Sequence, residues 1–336
     1  MNVSGNVIVI TGIGGFIGLR LAEVFREAGA TVRGLELPGA ASARARAAGF
    51  EVLEGDGTNA ASAADAVRGA HVVLHTAAIV GEGGDLEVYR RVNVGGVVTM
   101  AQAARAAGVR RFVHLSSVMV HGFTFPDGVT EDGPLRGEGN AYCQTKIESE
   151  AALRPLEAPG SFDVTIIRPG DVYGPGSVPW VVRPLELMKR GLFALPDGGR
   201  GVINHVHVDS LAHGVRLAVE QDASGVFTLS DGVATSCREY FGFLARMAGV
   251  SMRSFPSWAL LGAFSVIAPA FEAFGKDPPA RADAVRYLLR PHAYSIEKAT
   301  RVLGYAPRVT LVDGMAQVEA WARARALLLT SRTRAE

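Results

Sequence analysis

Along the first half of the chain, short runs of β-branched residues alternate with longer Ala-rich stretches of helical periodicity. Strands are predicted at residues 7–10, 31–35, 50–53, 72–75, 112–115 and 164–167, and helices at 16–28, 60–68, 86–107 and 141–153. Such alternation buries a parallel sheet under helices on both faces. Right-handed crossovers then wind the sheet in both directions from its centre. The expected fold is α/β, a doubly wound parallel (Rossmann) sheet with a smaller, mostly helical domain beside it.

After Arg168-Pro169 the texture changes. Pro and Gly crowd residues 169–201, which predicts irregular structure of the kind that borders ligands. A further strand is expected at 202–208 and another at 225–229. Residues 235–290 read as mostly helical, with loops around Pro256 and Asp277-Pro278-Pro279. The predicted division is a first domain at 1–168, with returns near 202–229, and a discontinuous second domain at 169–201 and 230–330.

Charge and cysteine content remove several function classes. The 34 basic and 33 acidic residues nearly cancel, and no Lys/Arg block gives the footprint of a nucleic-acid binder. Cys143 and Cys237 are the two cysteines and form no CxxC pair, so neither a disulfide framework nor a structural zinc site is expected. His205-Val206-His207 offers two ligands on one strand face but no third; no metal is expected. The first apolar run is strand-length and has no basic residue before it, unlike a signal peptide, which predicts a cytoplasmic protein. Residues 254–271 carry no charge and touch the lower limit of a spanning length. Pro256, Gly262 and Pro269 interrupt them, so a buried or interfacial helix is expected, with no integral membrane segment.

The phrase Thr11-Gly12-Ile13-Gly14-Gly15-Phe16-Ile17-Gly18 follows the first strand directly. Gly12, Gly15 and Gly18 permit a tight turn, close approach of a pyrophosphate and close packing of the next helix. The start of that helix, at Phe16 and Ile17, supplies free N–H groups and a favourable dipole for anionic oxygens. Glu36, 24 residues beyond Gly12 at the end of the second strand, can accept from the adenosine ribose and repel a 2′-phosphate. NAD is therefore expected rather than NADP, with Arg33 facing solvent. Asp56, beside Gly57, is placed to accept from the adenine amino group. Thr76-Ala77-Ala78 ends the fourth strand with small side chains where a cofactor needs room.

Tyr142 and Lys146 are four apart and share one helix face. A phenol with a pKa near 10 is a poor base, and a nearby ammonium is expected to lower that value. Lys146 can also bind the nicotinamide ribose, and Ser117, beyond the fifth strand, can orient a substrate oxygen. Cys143 lies about 100° round the helix from Tyr142 and has no evident base, so it reads as a packed apolar group.

With these motifs in place the chain resembles the extended short-chain dehydrogenase/reductases, the group of NAD-dependent epimerases/dehydratases and 3β-hydroxysteroid dehydrogenases. The resemblance runs nearly the whole length, through Asn93-Val94-x-Gly96, Ser116-Ser117, Tyr142/Lys146, the stretch from Arg168 to Gly176, His207-Val208-Asp209 and Leu303-Gly304-Tyr305-x-Pro307. It implies catalytic roles for Ser117, Tyr142 and Lys146. It also implies cofactor contacts at Asn93, Ser116, Pro169, Gly170 and Val172, and a homodimer built on helices 86–107 and 141–153. Sugar-nucleotide dehydratases of the group carry an Asp-Glu pair where this chain has Val118-Met119, so dehydration is not expected. Their Val-Tyr-Gly is here Val120-His121-Gly122.

The resulting expectation is an NAD-dependent oxidoreductase acting on a secondary alcohol or ketone of a hydrophobic, steroid-like small molecule. Leu195-Pro196-Asp197-Gly198-Gly199-Arg200-Gly201 is similar to the hydroxysteroid branch, and residues 255–271 suit an oily ligand. The alternative is a nucleotide-sugar epimerase, whose diphosphate would draw on Arg183, Arg200, Arg281 or Arg286. A non-catalytic NAD-binding sensor is a third class, disfavoured by the intact Ser-Tyr-Lys set.

Overall fold

The computed structural model describes residues 1–81, 83–273 and 281–328. Seven strands form the main sheet: β1 (Val7–Thr11), β2 (Thr31–Glu36), β3 (Glu51–Glu54), β4 (Val72–His75), β5 (Arg111–Leu115), β6 (Asp163–Pro169) and β7 (Gly225–Leu229). Their order is β7-β6-β5-β4-β1-β2-β3, and every pairing is parallel. The order reverses beside β1, which opens a crevice at the carboxyl ends of β1 and β4.

Alternation along the strands divides the core into two layers. Ile8 and Ile10 pack with α1 (Phe16–Glu27) through Leu21, Ala22 and Phe25, and with the later helix Val208–Glu220 through Leu211 and Val215. Val9, Val73 and Phe112 face the other way. There they meet α3 (Ala60–Val67) and α5 (Gly96–Ala106), which pack on each other. In chain order α2 (Ala40–Ala47) follows β2 and α4 (Leu86–Tyr89) follows β4, with Ala45 of α2 in the α1-side layer. Residues Arg90–Gly95 join α4 to α5 with π-type bonding, so the predicted helix at 86–107 carries a bulge in its first half. α6 (Ala141–Leu153) lies against this rod.

Beyond β6 the chain builds a second core. Tyr173, Leu185, Leu195, Tyr240, Phe241, Leu244, Met315 and Val318 close on one another, carried largely by α7 (Arg183–Lys189), α9 (Cys237–Ala248) and the late helix Leu311–Ala324. The Val208–Glu220 helix, α8, belongs instead with the main sheet. So do Ala299 and Leu303 of the helix Glu297–Leu303, with Tyr305 after it. That return lies within the 230–330 stretch assigned from sequence to the second domain.

Two expectations change. The run at 202–208 is two strands and a helix start. Val202–Ile203 pairs antiparallel with Thr235–Ser236, His205–His207 pairs with Asp171–Tyr173, and Val208 opens α8. Asn204 causes the break, because its polar groups are committed sideways. Its N–H donates to Asp171 Oδ2 at 2.8 Å, its Nδ2 to the His292 carbonyl at 3.1 Å, and its Oδ1 accepts from Tyr294 N–H at 3.0 Å. Residues 257–273 form α10 (Ser257–Ala273), which is not a buried helix. Trp258 is 77% exposed and Val266 70%, and Ala268 is its single buried residue among the described side chains. It packs on α11 (Ala282–Tyr287) and leaves an apolar face outward. No helix among the described residues is long and apolar enough to cross a membrane. The loop expected at Asp277-Pro278-Pro279 lies outside the described residues.

Candidate active site

The glycine turn stands at the carboxyl end of β1. Gly12 has φ +70°, a left-handed conformation that side chains rarely adopt. A Cβ on Gly18 would sit 2.2 Å from the Gly12 carbonyl oxygen, so α1 seats on the turn only with glycine there. No side chain caps α1, which leaves its first N–H groups, at Phe16 and Ile17, for an anion. Thr76 and Ala77 border the turn. The Thr76 hydroxyl donates to the Thr11 carbonyl at 2.7 Å, and Ala77 N–H to Thr11 Oγ1 at 3.3 Å.

Glu36 lies across the turn from the end of β2, accepting Gly14 N–H at 2.9 Å and Leu37 N–H at 3.0 Å. The half-buried carboxylate is thus fixed beside the glycines, 22 residues from Gly14 in sequence. Arg33 points elsewhere, to the Arg68 carbonyl at 2.5 Å. Asp56 is exposed past β3, and one of its oxygens accepts Thr58 N–H at 2.8 Å. Gly57 after it faces Leu35 and Met100. These features suit a dinucleotide: an uncapped helix start for its phosphates, a glycine turn for close approach, and a carboxylate for ribose hydroxyls.

Asn93, buried in the π-type turn, ties three segments together. Its Oδ1 accepts Ile79 N–H at 2.8 Å, and its Nδ2 donates to the Ile79 carbonyl at 3.0 Å and to Thr145 Oγ1 at 3.2 Å. The loop after β4, including Ala78, is thereby pinned to α6, the helix of Tyr142 and Lys146.

On α6, Asn140 caps the start by accepting Cys143 N–H at 3.1 Å. Lys146 is 3% exposed; its ammonium donates to the Leu115 carbonyl at 2.6 Å and lies 5.8 Å from the centre of the Tyr142 ring. Ser117 stands at the end of β5, capping the turn Val118–His121 through Met119 N–H at 3.1 Å. Burial pushes the Tyr142 phenol up to about 12, and hydrogen bonding with Ser117 pulls the other way. The expected lowering by Lys146 is not realised, because desolvation of the phenolate dominates. Burial draws Lys146 down to about 8, opposed by Glu150. His75, drawn down to about 3, and His114 stay neutral beneath it, through burial and the Lys146 charge.

Two residues named as cofactor contacts have side chains committed elsewhere. The Ser116 hydroxyl donates to buried Glu150 at 2.5 Å, and Val172 lies in the main core. Each can face a ligand only through its backbone. Pro169 ends β6, and Gly170 N–H donates to the Leu229 carbonyl at 2.9 Å. Cys143 is fully buried and its thiol is pushed up to about 12, as suits a packed apolar group.

The rest of the site comes from far along the chain. Met119, Phe123 and Cys143 form an apolar cluster against which Tyr142 and Tyr287 both pack. Tyr287 also meets Trp180, ring centres 5.3 Å apart. Its hydroxyl donates to Asp171, and Arg290 binds Asp171 Oδ2 at 2.5 Å in a buried pair. Asn140 Nδ2 donates to Asp283 Oδ2 at 2.8 Å, joining α6 to α11. None of Tyr287, Arg290, Asp283 or Glu150 was singled out from sequence as a site residue. Glu150 did carry a signal, a carboxylate four residues beyond Lys146 on a small-residue helix face. Among the described residues no cluster of three or more His, Cys, Asp or Glu could hold a metal.

The family model described as the NAD dependent epimerase/dehydratase family matches residues 8–229. The chain belongs to this family. Within the NAD-dependent epimerase/dehydratases, a similar protein is the 4-hydroxy-2-methyl-3-oxo-4-farnesyl-3,4-dihydroquinoline-1-oxide ketoreductase of Stigmatella aurantiaca, 29% identical over 91% of this chain and 93% of that one. The 3 beta-hydroxysteroid dehydrogenase/Delta 5-->4-isomerase of Mycobacterium tuberculosis is 27% identical over 92% of this chain and 88% of its own. Among solved structures, MoeE5 in complex with UDP-glucuronic acid and NAD superposes with a TM-score of 0.74 at 24% identity, covering 96% of this chain and all of that one. As a member of this family the chain is an NAD-dependent, extended-type short-chain dehydrogenase/reductase. Its cofactor is NAD.

Proposed function

We propose that this enzyme interconverts a ketone and a secondary alcohol on a hydrophobic small molecule, through Ser117, Tyr142 and Lys146. NAD supplies or accepts the hydride. Tyr142, held protonated at neutral pH by its burial, gives its phenolic proton to the carbonyl oxygen as that oxygen becomes an alcohol. Ser117 donates to the same oxygen and orients it. Lys146, held by the Leu115 carbonyl, steadies the developing phenolate and binds the nicotinamide ribose. Because Tyr142 rests as an acid, the reductive direction is the better matched.

The observation that carries the substrate class is the packing of Tyr142 with Met119, Phe123, Cys143 and Tyr287. The half-buried rings of Tyr142 and Tyr287, backed by this cluster, are the apolar surface that would reward an oily ligand, at roughly 25 cal/mol per Å² buried. The relatives named for a farnesylated dihydroquinoline oxide and a 3β-hydroxysteroid point to the same class. Nucleotide-sugar epimerisation would need cations for a diphosphate. Of Arg183, Arg200, Arg281 and Arg286, Arg286 is already paired with Asp283 at 2.8 Å. A panel of aryl, alkyl and steroid ketones against UDP- and GDP-sugars, each with NADH or NAD, tests the reading. Turnover of nucleotide sugars alone would overturn it. The split into a cofactor domain and a discontinuous substrate domain, and a homodimer through the 86–106 rod and α6, belong to the same proposal; a purely monomeric species in light scattering at micromolar concentration would remove the dimer.

A further inference from the structure

We propose that Glu150 is a positioning residue for this reaction, holding Lys146 as an ammonium and fixing the strand end that carries Ser117. The inference rests on the Ser-Tyr-Lys reading of the site. Its geometry starts from two helix positions. Lys146 and Glu150 are one turn apart on α6 and both are buried, at 3% and 1% exposure, so they share a face. Each grips the end of β5 through a successive residue. Lys146 donates to the Leu115 carbonyl at 2.6 Å, and Glu150 accepts from the Ser116 hydroxyl at 2.5 Å. Ser117 is the next residue, and its hydroxyl caps the following turn.

The carboxylate is itself held from behind. Arg168 on β6 donates from Nε to Glu150 Oε1 at 2.9 Å and from Nη2 to Oε2 at 2.7 Å. Its Nη1 is taken by the Glu131 carbonyl at 2.8 Å and faces His121 Nε2 at 3.3 Å. This bidentate pairing leaves Glu150 one geometry only.

The electrostatic role follows from what surrounds Lys146. Its own helix supplies the Tyr142 ring and Glu150. β5 supplies a carbonyl dipole at Leu115 and the His114 imidazole, β4 the His75 imidazole, and β6 the Arg168 cation. Both imidazoles are neutral, and of the Glu150–Arg168 pair it is the carboxylate whose charge acts on the ammonium. Among the described residues Glu150 is the anion that opposes the downward pull of burial on the ammonium, which titrates at about 8. A buried amine without such a partner is displaced by up to several further pH units.

The chain has four lysines, Lys146, Lys189, Lys276 and Lys298, so the amine can be read directly. Protein labelled with carbon-13 at lysine Cε and free of cofactor should show one resonance titrating near pH 8. Glu150→Gln, which keeps the shape and loses the charge, should move that midpoint down by roughly 1–3 pH units, and Glu150→Asp should largely restore it. The alkaline limb of kcat/KM should move with the midpoint. Because an unpaired Arg168 destabilises the single variant, Glu150→Gln/Arg168→Gln provides a second arm with a smaller downward shift, since a cation leaves with the anion and Glu150 is the charge that acts on Lys146. An unmoved lysine midpoint in whichever folded Gln variant is read would overturn the proposal, even with lower stability or turnover. If the midpoint moves as expected while Tyr142→Phe retains full turnover, the failure belongs to the Ser-Tyr-Lys mechanism and not to Glu150.

Discussion

Tyr142 and Glu36 show how much one oxygen can decide. Tyr142→Phe leaves the ring in its cluster with Met119, Phe123 and Tyr287 and deletes only the phenolic oxygen to which the proposed proton transfer is assigned. Turnover should fall by about 10²–10⁴-fold, with NAD affinity within about twofold of wild type by fluorescence titration, since uniform binding is untouched. Near-normal turnover would remove the phenol from the mechanism. Glu36 uses both carboxylate oxygens on the glycine side, at Gly14 and Leu37 N–H. Glu36→Ala should weaken NAD by roughly tenfold, the worth of one charge-assisted hydrogen bond. It should also narrow the gap between NAD and NADP, because the charge facing a 2′-phosphate is gone. Parallel calorimetric titrations of both cofactors check this, and an unchanged ratio would mean that another group makes the selection.

At the scale of elements, Asn140 joins two parts of the site with one amide. Its oxygen caps α6 and its nitrogen reaches Asp283 near the start of α11. Asn140→Asp keeps the cap and sets two carboxylates facing each other, so melting should fall modestly while KM rises more than kcat falls. Asn140→Ala loses both functions, and about 1 kcal/mol of stability with the cap. Equal kinetics in wild type and Asn140→Asp would show the Asp283 link to be idle. What could be read in advance follows the reach of each signal. The alternation before Ile167, the glycine turn and the Tyr142/Lys146 spacing are written within a few residues, and the elements stand where that local grammar puts them. Tyr287 and Arg290 meet Asp171 across more than a hundred residues, and no periodicity encodes such a meeting. Ser116 looked like its neighbour Ser117 until Glu150 claimed its hydroxyl. The strand run at 202–208 was apolar enough to read as one piece, and only tertiary partners of Asn204 divide it. Likewise α10 was legible as charge-free and helical, but not as exposed.

For the whole molecule, the buried imidazoles set a limit on acid tolerance. His75, drawn down to about 3, together with His114 and His121 sits below the ordinary value near 6.5, burial being the leading cause in each. Between 6.5 and the folded values the unfolded chain binds more protons, so stability is complete above about 6.5 and falls as pH drops through that window. Urea midpoints at pH 7.5, 6 and 5 should decline steadily, at up to about 1.4 kcal/mol per pH unit for each histidine; a flat response down to pH 5 would contradict the buried neutral rings. The outward face of α10 bears on a different property, colloidal behaviour. The formal net charge is +1 and the isoelectric point is near 7.9, so at neutral pH little like-charge repulsion keeps molecules apart. Trp258, Val266 and Phe271 then present an apolar contact to any neighbour. The osmotic second virial coefficient should therefore be negative around pH 8 and turn positive either in a mild non-ionic detergent or when Trp258 and Val266 are replaced by Gln, which makes this helix the part of the surface that decides how concentrated the enzyme can be kept.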